Sequence, residues 1–207
     1  MQPGKGKESK NRYKIEIKVL QKLRYLNLDN IVEIIEVDEE TSKIIMKAYD
    51  GDITNIFSLT RNNPVLSVEL LLPVVKTLKY LSEMEKPIYH RDLKPANILY
   101  EFDGEIPVLK ISDFGCCYFK QEGIRETPQF RAVGAQSYRS PEYDYGRVEN
   151  VTSKGDIFSI GKILWTMING VKNEVFPYTL WFPFEYNLLN RFDVTPELIY
   201  ANLIIAK

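Results

Sequence analysis

Cysteine, histidine and long apolar runs are all scarce in this chain of 207 residues. The two cysteines, Cys116 and Cys117, are neighbours, and an ordinary disulfide between neighbours is geometrically awkward. We interpret both as reduced thiols and expect an intracellular, cytoplasmic protein. The longest apolar stretch, around LLLPVV, is far too short to cross a bilayer, and the N-terminus lacks the apolar segment of a secretion signal. The sequence therefore predicts no contact with a membrane.

An excess of charge of one sign is also absent. The chain has 27 basic and 28 acidic side chains, so its formal net charge is -1. Such a balance gives no general attraction to nucleic acid or to an anionic surface. Partners must be recognised locally, and no nucleic-acid partner is predicted. The 44% of apolar residues is sufficient to bury a core.

The first part of the chain alternates between helical and strand patterns. Residues 13–26 carry apolar side chains on one face at helical spacing, which predicts an amphipathic helix. NIVEIIEV and SKIIMKAY are rich in β-branched residues and are separated by a polar connector, so they predict a hairpin.

Helices dominate the remainder. A buried helix is predicted from Ser67, where Pro73 marks either a kink or a late start. NILYEF and PVLKIS flank an Asp-Gly turn and predict a second hairpin. Residues 116–141 have no clean periodicity and are interpreted as a long loop, whereas GDIFSIGKILWTMI is apolar nearly all round, as in a central helix. The predicted fold class is α+β with a helical C-terminal majority.

The single histidine, His90, lies in the stretch YHRDLKPANILY. In-line phosphoryl transfer needs a carboxylate that orients an attacking hydroxyl and accepts its proton, together with ligands for Mg²⁺. Asp92 is suited to the first task, and Asn97 to the second. Lys94 can reach both Asp92 and a transferring phosphoryl group. Asp113, in ISDFG at the end of a predicted strand, is a second candidate metal ligand.

HRDLKPAN, DFG and SPE occur in this order, and over roughly residues 13–207 the chain resembles the eukaryotic-type Ser/Thr protein kinase family. The resemblance implies a protein-kinase-like fold with a truncated small lobe and a mainly helical large lobe. It also implies transfer of the γ-phosphate of ATP to a Ser/Thr hydroxyl of a protein substrate, with ATP and Mg²⁺ as cofactors. A small-molecule kinase is disfavoured because HRDLKP with SPE indicates protein substrates.

The same resemblance assigns further roles. Residues that would contact the nucleotide are Met46, Lys47, Tyr49, Asp52, Leu99 and Ser112. Glu16 resembles the regulatory-helix acid that normally pairs with a strand lysine. Arg91 beside Asp92 implies control by phosphorylation of a loop, for which Thr127 is the best-placed acceptor, although a solvated loop threonine is an equally good interpretation.

Two features of a complete kinase are missing ahead of Glu16: a glycine-rich loop and a facing strand lysine. We therefore expect a disordered Lys-rich tail at 1–12, a partial small lobe at 13–50, and a large lobe at 51–207 that is incomplete at its end. The favoured hypothesis is an N-terminally truncated Ser/Thr protein kinase domain. The alternative is a catalytically impaired, pseudokinase-like binding module that regulates a partner kinase.

Overall fold

Helices and short strands alternate in the computed structural model of the chain, which describes residues 7–38, 43–119, 137–140 and 151–170. The elements in chain order are α1 (Lys7–Arg24), β1 (Ile34–Asp38), β2 (Lys43–Met46), β3 (Gly51–Asp52), α2 (Phe57–Thr60), α3 (Pro64–Glu83), β4 (Ile88–Tyr89), β5 (Ile98–Asp103), β6 (Ile106–Ile111), β7 (Tyr118–Phe119) and α4 (Ser153–Asn169). This mixture confirms the predicted α+β class. No helix in the described ranges is both long and apolar enough to span a lipid bilayer.

Helix α1 begins at Lys7, so the predicted disordered tail over residues 1–12 is wrong for its second half. Lysine, glutamate and arginine are good helix formers, and no glycine or proline interrupts Lys7–Arg24. The prediction relied on apolar periodicity, which starts only at Tyr13. The predicted apolar face is buried in the core, with Val19 and Leu20 at most 1% exposed.

Both predicted hairpins are present. β1 and β2 pair antiparallel from Ile34 opposite Met46 to Asp38 opposite Lys43. β5 and β6 pair antiparallel from Ile98 opposite Ile111 to Asp103 opposite Ile106. Gly104 in the turn between them has a φ of 65°, a conformation that glycine adopts without steric cost.

The hairpin β5–β6 belongs to a three-stranded sheet in the order β3-β5-β6, in which β5 is the central strand. β3 places Asp52 directly opposite Leu99. The connection from α1 to β1 also attaches to this sheet, because Ile31 forms a parallel bridge with Ile111 and the Asn30 side-chain amide donates to Leu109 O at 2.8 Å. The sheet therefore joins the first and second parts of the chain.

The two long helices α3 and α4 pack against each other, and α3 also packs against β6 of the sheet. Asn63 caps α3 by accepting from Leu66 N at 3.1 Å, and Pro64 follows at the first helical position, where proline is tolerated. Because the helix continues through Pro73, a late start at that residue is wrong. No residue from Ser153 to Ile168 is exposed, which confirms the predicted buried helix.

The α3 core contact can be tested with Leu71→Ala. Leu71 is 1% exposed, so its truncation leaves a cavity, and we expect the free energy of unfolding to fall by about 2–5 kcal/mol. Leu59→Ala is the matched control, because Leu59 is 46% exposed. Chemical denaturation measures both variants, and equal losses for the two would contradict the burial assigned to Leu71.

Candidate active site

The loop that follows β4 is held from below by one carboxylate of α4. Asp156 Oδ2 accepts a hydrogen bond from His90 N and its Oδ1 accepts one from Arg91 N, both at 2.7 Å. Arg91 has a φ of 66°, a left-handed conformation that is costly for a residue with a side chain. Burial raises the pKa of Asp156, and the two amide donors and the charge of Arg91 oppose that rise. The strained turn is therefore stabilised by two short bonds to a buried acid.

His90 connects this loop to the segment after β6. Its ring is 1% exposed, and its Nδ1 accepts a hydrogen bond from Asp92 N at 3.3 Å. Its Nε2 lies 2.9 Å from Ser112 O, so a neutral ring with the proton on Nε2 satisfies both contacts. The Phe114 ring packs against it edge-on, with 4.8 Å between ring centroids. His90 therefore holds the backbone of Asp92 and the backbone of Ser112 in a fixed relative position.

Three of the predicted site residues meet at one carboxylate. Asp92 is 6% exposed, and its Oδ2 lies 3.2 Å from Lys94 Nζ and 3.3 Å from Asn97 Nδ2. The same Asn97 amide donates to Asp92 O at 2.8 Å. A short 3₁₀ turn over Pro95–Asn97 folds the chain back so that residues five positions apart come together.

The hairpin β5–β6 brings a fourth predicted site residue, Asp113, to the end of the hairpin at which Asn97 lies. Ser112 donates to Asn97 O through its N at 2.9 Å and through its Oγ at 3.0 Å. Asp113 follows at once with a φ of 60°, and its carboxylate accepts from Gly115 N at 3.4 Å. Predicted candidates that are 21 positions apart, Asp92 and Asp113, are thus linked through Asn97 and Ser112.

The donor atoms at this end of the hairpin fit a hard divalent cation. The Asn97 Nδ2 group is used on Asp92, which leaves the amide oxygen for a metal. Mg²⁺ prefers oxygen ligands and is often held by one or two protein carboxylates plus phosphate oxygens. The part of the chain that the structure describes contains no group of three or more His, Cys, Asp or Glu that could hold a metal by itself. Asn97 and Asp113 therefore fit a metal that arrives with a phosphate ligand.

The profile of the protein kinase domain matches residues 2–178 of the chain. The chain belongs to this family. The kinase domain is 30% identical over 173 residues to the seven transmembrane domain-containing tyrosine-protein kinase 1 of Dictyostelium discoideum, a match that covers 80% of this chain and 23% of that protein. It is 33% identical over 162 residues to the serine/threonine-protein kinase atg1 of the same organism, covering 75% of this chain and 23% of the relative. These matches confirm the predicted resemblance and its kinase-like fold.

A third relative is the serine/threonine-protein kinase tousled-like 1 of Caenorhabditis elegans, 31% identical over 174 residues, which are 79% of this chain and 18% of that protein. The kinase domain described here therefore spans less than a quarter of the length of each of these relatives.

The predicted nucleotide residues of the kinase domain line one face of the sheet and the segment above it. Asp52 lies opposite Leu99, and Leu99 lies opposite Lys110 on the next strand, so the three side chains share a face. Leu99 is half-buried. Asp52 Oδ1 accepts from Thr54 N at 2.9 Å and from Thr54 Oγ1 at 2.5 Å, so this oxygen has a capping role that the sequence did not predict.

Met46, Lys47 and Tyr49 lie along the segment that joins β2 to β3. Met46 is partly buried against the core. Lys47 N donates to Glu33 O at 3.0 Å, and the Tyr49 hydroxyl accepts from Glu33 N at 2.8 Å. The Tyr49 side chain therefore contacts the residue that precedes β1. The backbone N–H of Tyr49 has no hydrogen-bond partner among the described residues.

The predicted regulatory residues are only partly placed. Glu16 on α1 is 4% exposed, and it forms no ion pair with any lysine or arginine whose side chain the structure describes. Burial and, secondarily, the charge of Asp113 raise the pKa of Glu16 from 4.5 to about 7. Arg91 is 3% exposed. Thr127 lies outside the described residues.

Two charged residues with specific contacts were not singled out from the sequence. Lys162 of α4 is 4% exposed, and its Nζ donates to Ser137 O at 3.0 Å and lies 4.7 Å from the centroid of the Phe158 ring. Glu101 of β5 contacts Lys47 and Lys110. Lys162 could have been identified from the sequence, because it is a lysine inside an apolar helical pattern. The contacts of Glu101 could be identified only from the strand register.

The raised pKa of Glu16 predicts a pH-dependent effect of Glu16→Gln. The folded state holds the Glu16 proton to higher pH than the unfolded chain, so the carboxylate destabilises the fold increasingly from pH 4.5 to about 7 and fully above that. Removing the charge should raise the free energy of unfolding by on the order of 3 kcal/mol more at pH 8.5 than at pH 5.

Denaturant titrations at the two pH values measure this difference. Glu105→Gln is the matched control, because Glu105 lies exposed in the β5–β6 turn and should give the pH dependence of the unchanged chain. A Glu16→Gln profile parallel to that of the unchanged chain would show that the buried carboxylate is compensated.

Proposed function

We propose that this chain is a protein serine/threonine kinase domain that transfers the γ-phosphoryl group of ATP to a protein hydroxyl. The observation that carries the proposal is the cluster around Asp92, where Lys94 Nζ and Asn97 Nδ2 lie 3.2 and 3.3 Å from one carboxylate oxygen. These two contacts hold in place the carboxylate that would accept the proton of an attacking hydroxyl.

Each residue of the cluster has a distinct part in the proposed reaction. Asp92 orients the substrate hydroxyl and takes its proton as the oxygen attacks. Lys94 balances the negative charge of Asp92 and of the transferring group, since its ammonium is already within reach of that carboxylate. His90 and Asp156 do not touch the reactants, and they keep the loop in place.

Asn97 and Asp113 are the proposed holders of Mg²⁺. When bound, Mg²⁺ neutralises charge on the nucleotide phosphates. The two residues are held at one end of the β5–β6 hairpin by the Ser112 bonds to Asn97 O, so their relative position does not depend on the metal. Preformed ligand positions of this kind favour binding because little conformational freedom is lost on association.

The adenine of ATP is proposed to lie between Leu99 and the Lys47–Tyr49 segment. Leu99 offers an apolar surface, and the Tyr49 N–H is available as a donor. Asp52, opposite Leu99, is at the right place in the sheet for a ribose contact, since only its Oδ1 is used in the cap. Ser112 acts in this proposal through Asn97 and not by touching the nucleotide.

Protein serine and threonine residues are the proposed acceptors because of Lys94 within HRDLKP and because several similar proteins are serine/threonine kinases. Phosphorylation of Thr127 is the proposed regulatory event, with Arg91 as the residue that would respond to it. An intracellular, cytoplasmic location is proposed from Cys116 and Cys117, whose side chains are buried thiols outside any disulfide.

A second candidate function is a non-catalytic, kinase-like module that binds and regulates a partner kinase. The observation in its favour is Glu16, a buried carboxylate with no described basic partner. An unpaired buried acid at this place weakens any interaction with the nucleotide phosphates, because the negative charges repel.

Two substitutions test the catalytic proposal against the binding module. Asp92→Asn should lower phosphotransfer to a mixed Ser/Thr protein substrate by roughly 10² to 10⁴, the usual contribution of a general base, while Mg²⁺-ATP still binds. Asp113→Asn should abolish the stabilisation of the fold by Mg²⁺-ATP, which is roughly 2.7 kcal/mol for the unchanged chain at a hundred times its Kd.

Radiolabelled phosphate transfer and thermal melting measure these effects. Asp103→Asn serves as the control, because Asp103 is exposed at the end of β5 and should behave as the unchanged chain in both assays. If the unchanged chain shows neither transfer nor a Mg²⁺-ATP shift, the catalytic proposal fails and the binding module is favoured.

A further inference from the structure

One carboxylate bridges two lysines that come from different parts of the fold. Glu101 Oε2 lies 2.5 Å from Lys47 Nζ, and its Oε1 lies 3.1 Å from Lys110 Nζ. Lys110 Nζ also donates to Asp29 O at 2.6 Å. The bridge therefore ties the segment between β2 and β3 to the β5–β6 sheet and to the connection between α1 and β1.

The bridge lies on the face of the sheet that carries Leu99. Leu99 is directly opposite Lys110, and Glu101 is two residues further along the same strand. Because side chains two apart on a strand point to the same face, Leu99, Glu101 and Lys110 share one surface. Lys47 approaches that surface from the segment above. The ion pairs are thus a direct link between the two sides of the proposed adenine site.

Backbone bonds alone anchor the Lys47–Tyr49 segment unevenly. At its far end, Asp50 N donates to Tyr100 O at 3.0 Å, which fixes that end to β5. At the Lys47 end, the backbone bond goes to Glu33 O, on the side of β1 and not of the sheet. The Glu101–Lys47 ion pair is the described contact that holds this end to β5.

We propose that Glu101 is a positioning residue for the nucleotide: through Lys47, it fixes the height of the Lys47–Tyr49 segment above Leu99. The inference rests on the proposed ATP-binding function and adds a residue to it. Without the Glu101 charge, Lys47 and Lys110 repel each other across the gap, and the segment loses its tie to the sheet.

Solvent reaches this bridge. A cavity of about 400 Å³ is lined by Glu33, Lys47, Tyr49, Glu101 and Lys110 among others. The side chains of Lys47, Glu101 and Lys110 are 44%, 23% and 14% exposed. Ion pairs that are open to solvent weaken as salt is added, so positioning through this bridge should depend on ionic strength.

The test measures the Kd of Mg²⁺-ATP for the unchanged chain, Glu101→Gln, Lys47→Met and the double variant, at low and high sodium chloride. We expect each single variant to weaken binding by about three- to tenfold at low salt, and the double variant to be no weaker than either. We also expect added salt to weaken binding by the unchanged chain more than by Glu101→Gln.

Glu105→Gln, a neighbouring exposed glutamate of the same hairpin, is the control and should bind as the unchanged chain does. Normal nucleotide affinity in Glu101→Gln, or effects of Glu101→Gln and Lys47→Met that add in the double variant, would overturn the positioning role and leave the proposed function standing. A failure of the unchanged chain itself to bind Mg²⁺-ATP would overturn both.

Discussion

The arrangement of the site depends on the two hydrogen bonds that Asp156 accepts from the backbone of His90 and Arg91. A buried carboxylate destabilises the fold unless hydrogen-bond donors surround it. A left-handed backbone conformation at an arginine also destabilises the fold unless neighbouring groups hold it. Each of these two features stabilises the other. The turn after β4 is thereby fixed to α4. From this turn the His90 ring contacts Ser112 O, and the Asp92 carboxylate contacts Asn97.

Local spacing explains why much of this site could be predicted from the sequence. Asp92, Lys94 and Asn97 are close in the chain, and one tight turn brings them together. Asp113 required a single further inference, a hairpin with an Asp-Gly turn, because the register of β5 and β6 then places Ser112 beside Asn97. Contacts within one element, or between two adjacent elements, can therefore be predicted from sequence patterns.

Contacts between distant elements could not be predicted in the same way. The bridge formed by Glu101 with Lys47 and Lys110 depends on strand register and on the path of a connecting segment, and neither is encoded in periodicity. The early start of α1 was missed for a different reason, since polar residues can form a helix by propensity without an apolar stripe. Glu16 and the missing lysine partner could be recognised from the sequence, but the burial of the Glu16 carboxylate required the folded chain.

The two halves of the proposed site, the loop around Asp92 and the segment above Leu99, are held by different kinds of interaction. The loop around Asp92 rests on buried hydrogen bonds to Asp156 and Asn97, which salt scarcely screens. The segment above Leu99 rests on ion pairs that solvent reaches through a cavity. Under the proposed function, ionic conditions or a neighbouring charged group would therefore change how the nucleotide is held without moving Asp92. Nucleotide binding in such a domain could then be tuned while the loop around Asp92 stays fixed.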